Sequence, residues 1–241
     1  MHCLEHRCGA LYGTYALAGV VLVYVHALEV EYLIVLGRCL LAVGDDRVDR
    51  ELALSHTVEE LRQAILKKYG NLAAQEFTTS TWGADGLDAI QEMQNGWGPG
   101  RDGQYMRCSD FTLADDPDEF VIAYGVNHAA TGKATYSNIS VYGTVKANGV
   151  ASAWNKEYAG TAEEFLPGNP NAKYLYVWKF ARSANGEPHT IAVPYNQGIN
   201  GVDLDQPMFL GFRAYLEKET KTGPVVTELY YDRAIKFSNK Q

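Results

Sequence analysis

The chain has 241 residues, of which 46% are hydrophobic and 21% charged, a composition that suits a folded protein and argues against global disorder. The formal net charge of −8 repels phosphate backbones, and no cluster of Lys and Arg overcomes it, which argues against nucleic-acid binding. Only four cysteines occur, and three lie before residue 40, so the sequence contains no disulfide framework.

The first element is an apolar N-terminal segment. Residues 8–28 contain no Asp, Glu, Lys or Arg. The segment has the length of a membrane anchor, and its small residues near Ala27 suit the cleavage site of a signal peptide. Its many valines equally suit a pair of buried strands. We therefore divide the chain into an apolar segment, 1–50, and a single β-rich domain, 51–241, and expect a secreted or cell-surface protein rather than a cytoplasmic one.

One amphipathic helix is predicted over 57–69. Thr57 and Glu60 have the spacing of a capping box, and Leu61 and Ile65 begin an apolar face. Lysines occupy the last turn, and Gly70 follows them. We expect this helix to pack one face on the core.

Many short strands follow the helix. Residues 174–181 are apolar on both faces, which predicts a central strand. In 225–237, Glu228, Asp232 and Lys236 alternate with apolar residues, which predicts a half-exposed strand near an edge. Further strands are predicted at 105–113, 119–126, 134–145, 150–155, 188–194 and 207–216. The fold class is therefore mainly β, an antiparallel β-sandwich or jelly roll, with a closed barrel as the alternative.

Three of these segments carry a family resemblance: Phe120–Tyr124, Tyr136–Gly143 and Phe209–Tyr215. They resemble microbial jelly-roll-like domains of unknown function, in which one stretch is similar to Trp-Ser-Leu-Thr-Leu-Tyr-Asp and a later one reads Leu-Arg-x-Tyr-x-Pro. Here Tyr136 replaces the Trp, Gly143 replaces the Asp, and Glu217 stands where Pro is expected. The resemblance implies a β-sandwich and assigns no functional residue.

Two loop histidines are the catalytic candidates. The sequence contains neither a Gly-x-Ser-x-Gly elbow nor a His-Glu-x-x-His helix, and the β-rich part contains only His128 and His189. A catalytic His needs a hydrogen-bonded partner, for which Asp110 and Glu187 are candidates. On this hypothesis the protein is a metal-dependent hydrolase or isomerase of jelly-roll type; otherwise both residues are ordinary loop histidines.

The stretch 110–119 is acidic and contains no Lys or Arg. Loop carboxylates are ligands of Ca²⁺, so Asp110, Asp115, Asp116 and Asp118 are candidate calcium ligands. The alternative is a solvated turn.

Asn138 begins the sequon Asn-Ile-Ser. Strand alternation places Asn138 on a polar face, and we expect it to be accessible for glycosylation.

The favoured function is a binding or assembly module, with carbohydrate as the ligand. Sugars stack on exposed aromatic rings beside amide or carboxylate groups. Tyr and Trp are well represented, with 16 and 4 copies. We expect platforms at Trp97, Trp154 and Tyr195, with Asp102 or Asn155 as polar partners, although Trp97 could also pack into the core. The third hypothesis is a structural subunit that binds copies of itself.

Overall fold

In a computed structural model the chain is described over residues 51–82 and 102–240. All of these residues belong to one compact unit, Asp45–Gln241. The predictions for residues 1–50 and for Trp97 lie outside the described residues. No helix in the described part of the chain combines the length and the apolar character needed to cross a membrane.

Strands make up most of the regular structure. The longer helix α1 spans Ser55–Lys68, and the single turn α2 spans His128–Thr131. The strands are β1 (Ala73–Phe77), β2 (Thr79–Thr81), β3 (Gly103–Cys108), β4 (Phe120–Val126), β5 (Ser137–Gly143), β6 (Asn148–Trp154), β7 (Leu175–Ala181), β8 (Thr190–Ala192), β9 (Met208–Tyr215) and β10 (Arg233–Ser238). Short 3₁₀ turns lie at Ala172–Tyr174, Gly198–Asn200 and Val226–Glu228.

The strands form two five-stranded sheets. Sheet A has the order β1-β10-β4-β7-β8, and sheet B has the order β2-β3-β9-β5-β6. Neighbouring strands are antiparallel except β7 and β8, which are parallel. The prediction of a mainly β, sandwich-like fold is confirmed.

The main core lies between the two sheets. Alternate residues of each central strand point inward, as the period of two requires. Sheet A contributes Val121, Ala123, Tyr176 and Phe180, and sheet B contributes Ile139, Val141, Leu210 and Phe212. This alternation leaves the intervening residues of β9, β5 and β3 on the outer face of sheet B.

A second core covers the outer face of sheet A. The buried face of α1, with Val58, Leu61 and Ile65, packs on Ile122 and Val177. Because β7 is covered on both faces, it has the doubly apolar pattern that the sequence shows.

The helix begins earlier than predicted. The cap position is Leu54, which makes no side-chain capping bond, and Ser55 is the first helical residue. Thr57 is instead buried inside the helix, where its hydroxyl lies 3.4 Å from the amide nitrogen of Asn171. The capping-box prediction was wrong because Thr57 makes a tertiary contact rather than a cap.

The last strand is shorter than predicted. Strand β10 begins at Arg233 and lies between β4 and the edge strand β1, which agrees with the predicted position near an edge. Asp232, predicted to face solvent, is 3% exposed because it accepts a hydrogen bond from the buried Tyr176. The edge position belongs to β1, which the sequence analysis did not predict, nor did it predict β2.

Candidate functional site

The outer face of sheet B carries an unusual set of side chains. Because Met208, Leu210, Phe212 and Ala214 of β9 point into the core, the residues between them point outward. These outward residues are Phe209, Gly211, Arg213 and Tyr215. A sheet face that meets solvent is normally dominated by small polar side chains, so aromatic rings in this position need a reason.

Four aromatic rings form a row across one end of this face. Trp154 of β6 lies 6.1 Å from Tyr136, which directly precedes β5, between ring centroids. Tyr136 lies 5.5 Å from Tyr215 of β9, which lies 6.1 Å from Tyr105 of β3. Each ring comes from a different strand, so the row runs across the strands. Tyr136 and Trp154 are the most exposed, at 36% and 37%.

Arg213 and Asn138 lie side by side next to this row. They are direct cross-strand partners in the β5–β9 register. The Arg213 guanidinium lies 5.4 Å from the Tyr105 ring and 5.5 Å from the Tyr142 ring, and Nη2 donates to the Tyr142 hydroxyl. The Asn138 amide Nδ2 donates to Ser140 Oγ at 3.1 Å.

Each of these two side chains holds one unsatisfied polar atom. Within the described part of the chain, Arg213 Nε and Asn138 Oδ1 are buried without a hydrogen-bond partner. Buried polar atoms are nearly always paired, and a water molecule or a ligand hydroxyl between a donor and an acceptor on neighbouring residues would satisfy both. A hydroxyl can accept from one and donate to the other.

The backbone of β9 beside this pair is covered by aromatic rings. A side chain at Gly211 would place Cβ 3.0 Å from the Tyr142 ring and 3.1 Å from the Trp82 ring, so these rings lie directly on the backbone there. Arg107 stacks on Phe209 at 3.7 Å and forms an ion pair with Asp110.

Of the five residues predicted to bind sugar, Trp154 lies in the row and Asp102 lies near its far end. Burial and the neighbouring Tyr215 raise the pKa of Tyr105 to about 12, and the charge of Asp102 adds to this effect. Asn155 has a structural role, because its Oδ1 accepts from Ser137 N at 3.2 Å.

Tyr195 lies elsewhere, and its hydroxyl donates to Asp115 at 2.6 Å. Its backbone adjoins Gly201, whose carbonyl accepts a hydrogen bond from Asn148 at the start of β6. Trp154 ends the same seven-residue strand, about 20 Å away at the usual rise per residue. Tyr195 and Trp154 therefore do not share a platform.

His128 lies in a closed ionic cluster. His128 Nδ1 is 3.0 Å from Glu51 Oε1, and Nε2 is 3.5 Å from Asp232 Oδ2. Thr131 Oγ1 and the Tyr230 backbone N–H also donate to Glu51, at 2.6 and 3.0 Å. These partners are not the predicted ones, Asp110 and Glu187.

The charges in this cluster stabilise each other. Burial alone would lower the pKa of His128, but Glu51 and Asp232 outweigh it and raise the pKa to about 10. Burial opposes ionisation of Glu51 as well, yet His128 and the hydrogen bonds keep the pKa of Glu51 below its usual value. All three side chains are at most 5% exposed, and both carboxylates already face the imidazole. We interpret the cluster as a structural tie between the helix region and sheet A.

His189 is exposed, and its ring lies 5.5 Å from that of Trp178. It borders a cleft of about 440 Å³ at the C-terminal end of α1, where Phe120 and Val177 are part of the lining. Both lysines of this cleft, Lys68 and Lys179, are paired with glutamates. No polar atom left unpaired at this cleft points to a ligand among the described residues.

The predicted calcium ligands take separate partners. Asp110 pairs with Arg107, and Asp115 accepts from Tyr195. Asp116 accepts from the backbone N–H of Asp118 at 2.8 Å. Among the described residues, no three His, Cys, Asp or Glu side chains converge as metal ligands do. Calcium binding stays a prediction without a described ligand set.

Asn138 is less accessible than expected. It is 9% exposed, because β5 is paired on both sides and Arg213 and Trp154 are its cross-strand neighbours. The side chain is therefore less exposed than its polar strand face predicts, and glycosylation of Asn138 stays a prediction.

Protein-family models, curated proteins and solved structures were compared with the chain, and none matches. Function is therefore inferred from the chemistry of the site alone.

Proposed function

We propose that this protein is a carbohydrate-binding module and that its ligand lies on the outer face of sheet B. The observation that supports this most is the row of four rings beside the unpaired Arg213 Nε and Asn138 Oδ1. The C–H faces of sugar rings pack on aromatic rings, and their hydroxyls both donate and accept hydrogen bonds. A surface that offers rings and unpaired polar atoms together fits this combination.

The shape of the row supports an extended ligand. Neighbouring strands lie about 4.8 Å apart, so four rings on four strands follow a line about 14 Å long. A chain of several linked sugars would contact successive rings along this line. The acidic net charge of −8 disfavours nucleic acid, the other common polymer that stacks on aromatic platforms. A glycan ligand also agrees with the expected secreted or cell-surface location.

The test is retention on immobilised polysaccharides: cellulose, xylan, starch, polygalacturonate, alginate and hyaluronan. We expect at least one to retain the protein. Trp154→Ala and Tyr136→Ala should each weaken that retention at least about tenfold, a loss of about 1.4 kcal/mol. Tyr195→Ala is the matched control, because Tyr195 lies at the other end of β6, and it should bind like the unmodified protein.

Two results would contradict the proposal. One is a protein that no polysaccharide in the panel retains. The other is retention that survives both Trp154→Ala and Tyr136→Ala in variants with unchanged circular dichroism. If Tyr195→Ala alone abolished retention, the ligand would lie at the other end of the sandwich.

A further inference from the structure

We infer that the glycan is acidic and that Arg213 binds its carboxylate. This inference rests on the proposed function and specifies the substrate class of the same face. It makes Arg213 the residue that determines specificity, whereas the aromatic row supplies stacking to any sugar.

The first support is the charge of Arg213. The chain carries 29 acidic and 21 basic side chains, so carboxylates are plentiful. Among the described arginines, Arg62, Arg107 and Arg233 all form ion pairs with carboxylates.

Arg182 forms no such ion pair but is saturated by backbone carbonyls, including those of Leu113 and Val202. Arg213 has only the neutral hydroxyl of Tyr142 as a hydrogen-bond partner in the described part of the chain. Arg213 forms no ion pair with a carboxylate of the described residues, and such a cation in an acidic protein fits an anionic ligand.

The second support is the shape of the guanidinium environment. The rings of Tyr105 and Tyr142 lie 5.4 and 5.5 Å from Arg213 Cζ and hold the side chain in place. Arginine binds carboxylates through two parallel N–H groups of its planar guanidinium. Within the described part of the chain, Arg213 Nε has no hydrogen-bond partner and only Nη2 donates a hydrogen bond, to Tyr142.

The third support is the neighbour of Arg213. Asn138 Oδ1 lies on the next strand and likewise has no hydrogen-bond partner among the described residues. A sugar acid offers a carboxylate and ring hydroxyls within one residue, so it can satisfy both atoms together. Lys156 lies 5.0 Å from the Trp154 ring and adds positive charge at that end of the row. Asp102, by contrast, acts on Tyr105, which places the anion towards Asn138 rather than towards β3.

The experiment compares matched polymers. Polygalacturonate, alginate and hyaluronan are each immobilised beside their carboxyl-reduced forms, which keep the sugar backbone and lose the charge. We expect at least one acidic polymer to retain the protein and its reduced form to retain it at least tenfold less. Arg213→Gln should lose the same factor on the acidic polymer, and Arg213→Lys should fall between, because lysine keeps the charge without the paired N–H groups.

The control is Arg233→Gln, since Arg233 is a partly exposed arginine on sheet A. It should bind like the unmodified protein. Thermal unfolding of each variant confirms that the domain still folds. If Arg213→Gln fails to fold, the retention of Arg213→Lys and the comparison of acidic with carboxyl-reduced polymers test the role of Arg213.

Outcomes separate the two proposals. Equal retention on acidic and carboxyl-reduced polymers, with continued dependence on Trp154, overturns the acidic specificity and leaves the carbohydrate module intact. Retention on an acidic polymer that Arg213→Gln does not weaken overturns the role of Arg213. No retention on any polymer, acidic or neutral, overturns the proposed function and this inference with it.

Discussion

Asp232 shows how a single residue joins separate parts of the chain. Its side chain accepts from the Tyr176 hydroxyl at 2.5 Å and lies beside His128. It also packs against Gly125, where a Cβ would lie 2.8 Å from Asp232 Oδ1 and 3.1 Å from Asp232 Cα. The backbone at Gly125 therefore allows the buried carboxylate to reach its partners.

Gly125→Ala should destabilise the domain. The added methyl group meets the carboxylate and the Asp232 backbone, neither of which can move without breaking the cluster, so we expect a loss of about 1–3 kcal/mol. Urea unfolding measures it. Gly70→Ala is the control, because its Cβ would meet its nearest neighbours at an ordinary 3.4 Å. A loss no larger for Gly125→Ala than for Gly70→Ala would contradict this account.

Because of His128, the free energy of unfolding should decrease as the pH rises above neutrality. Its pKa is raised to about 10 in the folded protein by Glu51 and Asp232, against about 6.5 when unfolded. The stabilisation is therefore complete below about pH 6.5 and is lost as the pH rises towards 10. The unfolding free energy measured from pH 6 to about 8 should fall steadily, below the pH range in which Cys108, Tyr158 and Tyr176 ionise in the unfolded chain.

His128→Gln is the control for this titration. It cannot gain a proton, so its unfolding free energy should lack the slope between pH 6 and about 8, although the variant is less stable throughout. Parallel pH profiles of the two proteins would show that His128 is not the titrating group.

The sequence could identify His128 but not its partners. Glu51 lies 77 residues before it in the chain. Asp232 lies far after it, directly before strand β10. The partners proposed from the sequence were Asp110 and Glu187. Strand pairing is nonlocal, so the residues that meet at the end of a sheet cannot be read from local patterns.

Helix α1 packs on the outer face of sheet A, and the two together form the second core. Leu61 is completely buried against this sheet. Leu61→Ala should therefore cost about 2–5 kcal/mol in unfolding free energy, as for other large core residues. Leu52, which is 50% exposed, provides the matched control, and Leu52→Ala should change stability by less than about 0.5 kcal/mol. Equal losses in chemical denaturation would show that α1 is not docked as described.

Elements with a clear pattern of apolar residues could be predicted from the sequence, and elements without one could not. Strand β7, apolar on both faces, and the amphipathic α1 were predicted within two residues at each end. Strand β1 was missed because Ala73–Phe77 is mostly exposed and contains no β-branched residue. Residues 225–232 alternate like a strand, but Tyr230 N donates to Glu51 instead of joining a ladder.

The outer faces of the two sheets differ in the part of the domain that the structure describes. Sheet A is covered by α1, whereas sheet B presents aromatic rings and an arginine on its outer face. The composition shows that Tyr and Trp are abundant. The sequence could not show that Tyr136, Trp154 and Tyr215 lie in one row. That row depends on the order β3-β9-β5-β6, which joins segments about 110 residues apart.

The most direct test of the central claim is to follow the tryptophan indole N–H signals by NMR while oligosaccharides are added. The chain has four tryptophans, and Trp→Phe variants assign the signals. Trp154 is 37% exposed in the aromatic row, whereas Trp178 is 7% exposed between the sheets. We predict that the Trp154 signal shifts and saturates while the Trp178 signal stays in place. A Trp154 signal that is unchanged by every acidic and neutral oligosaccharide would contradict carbohydrate binding at this face.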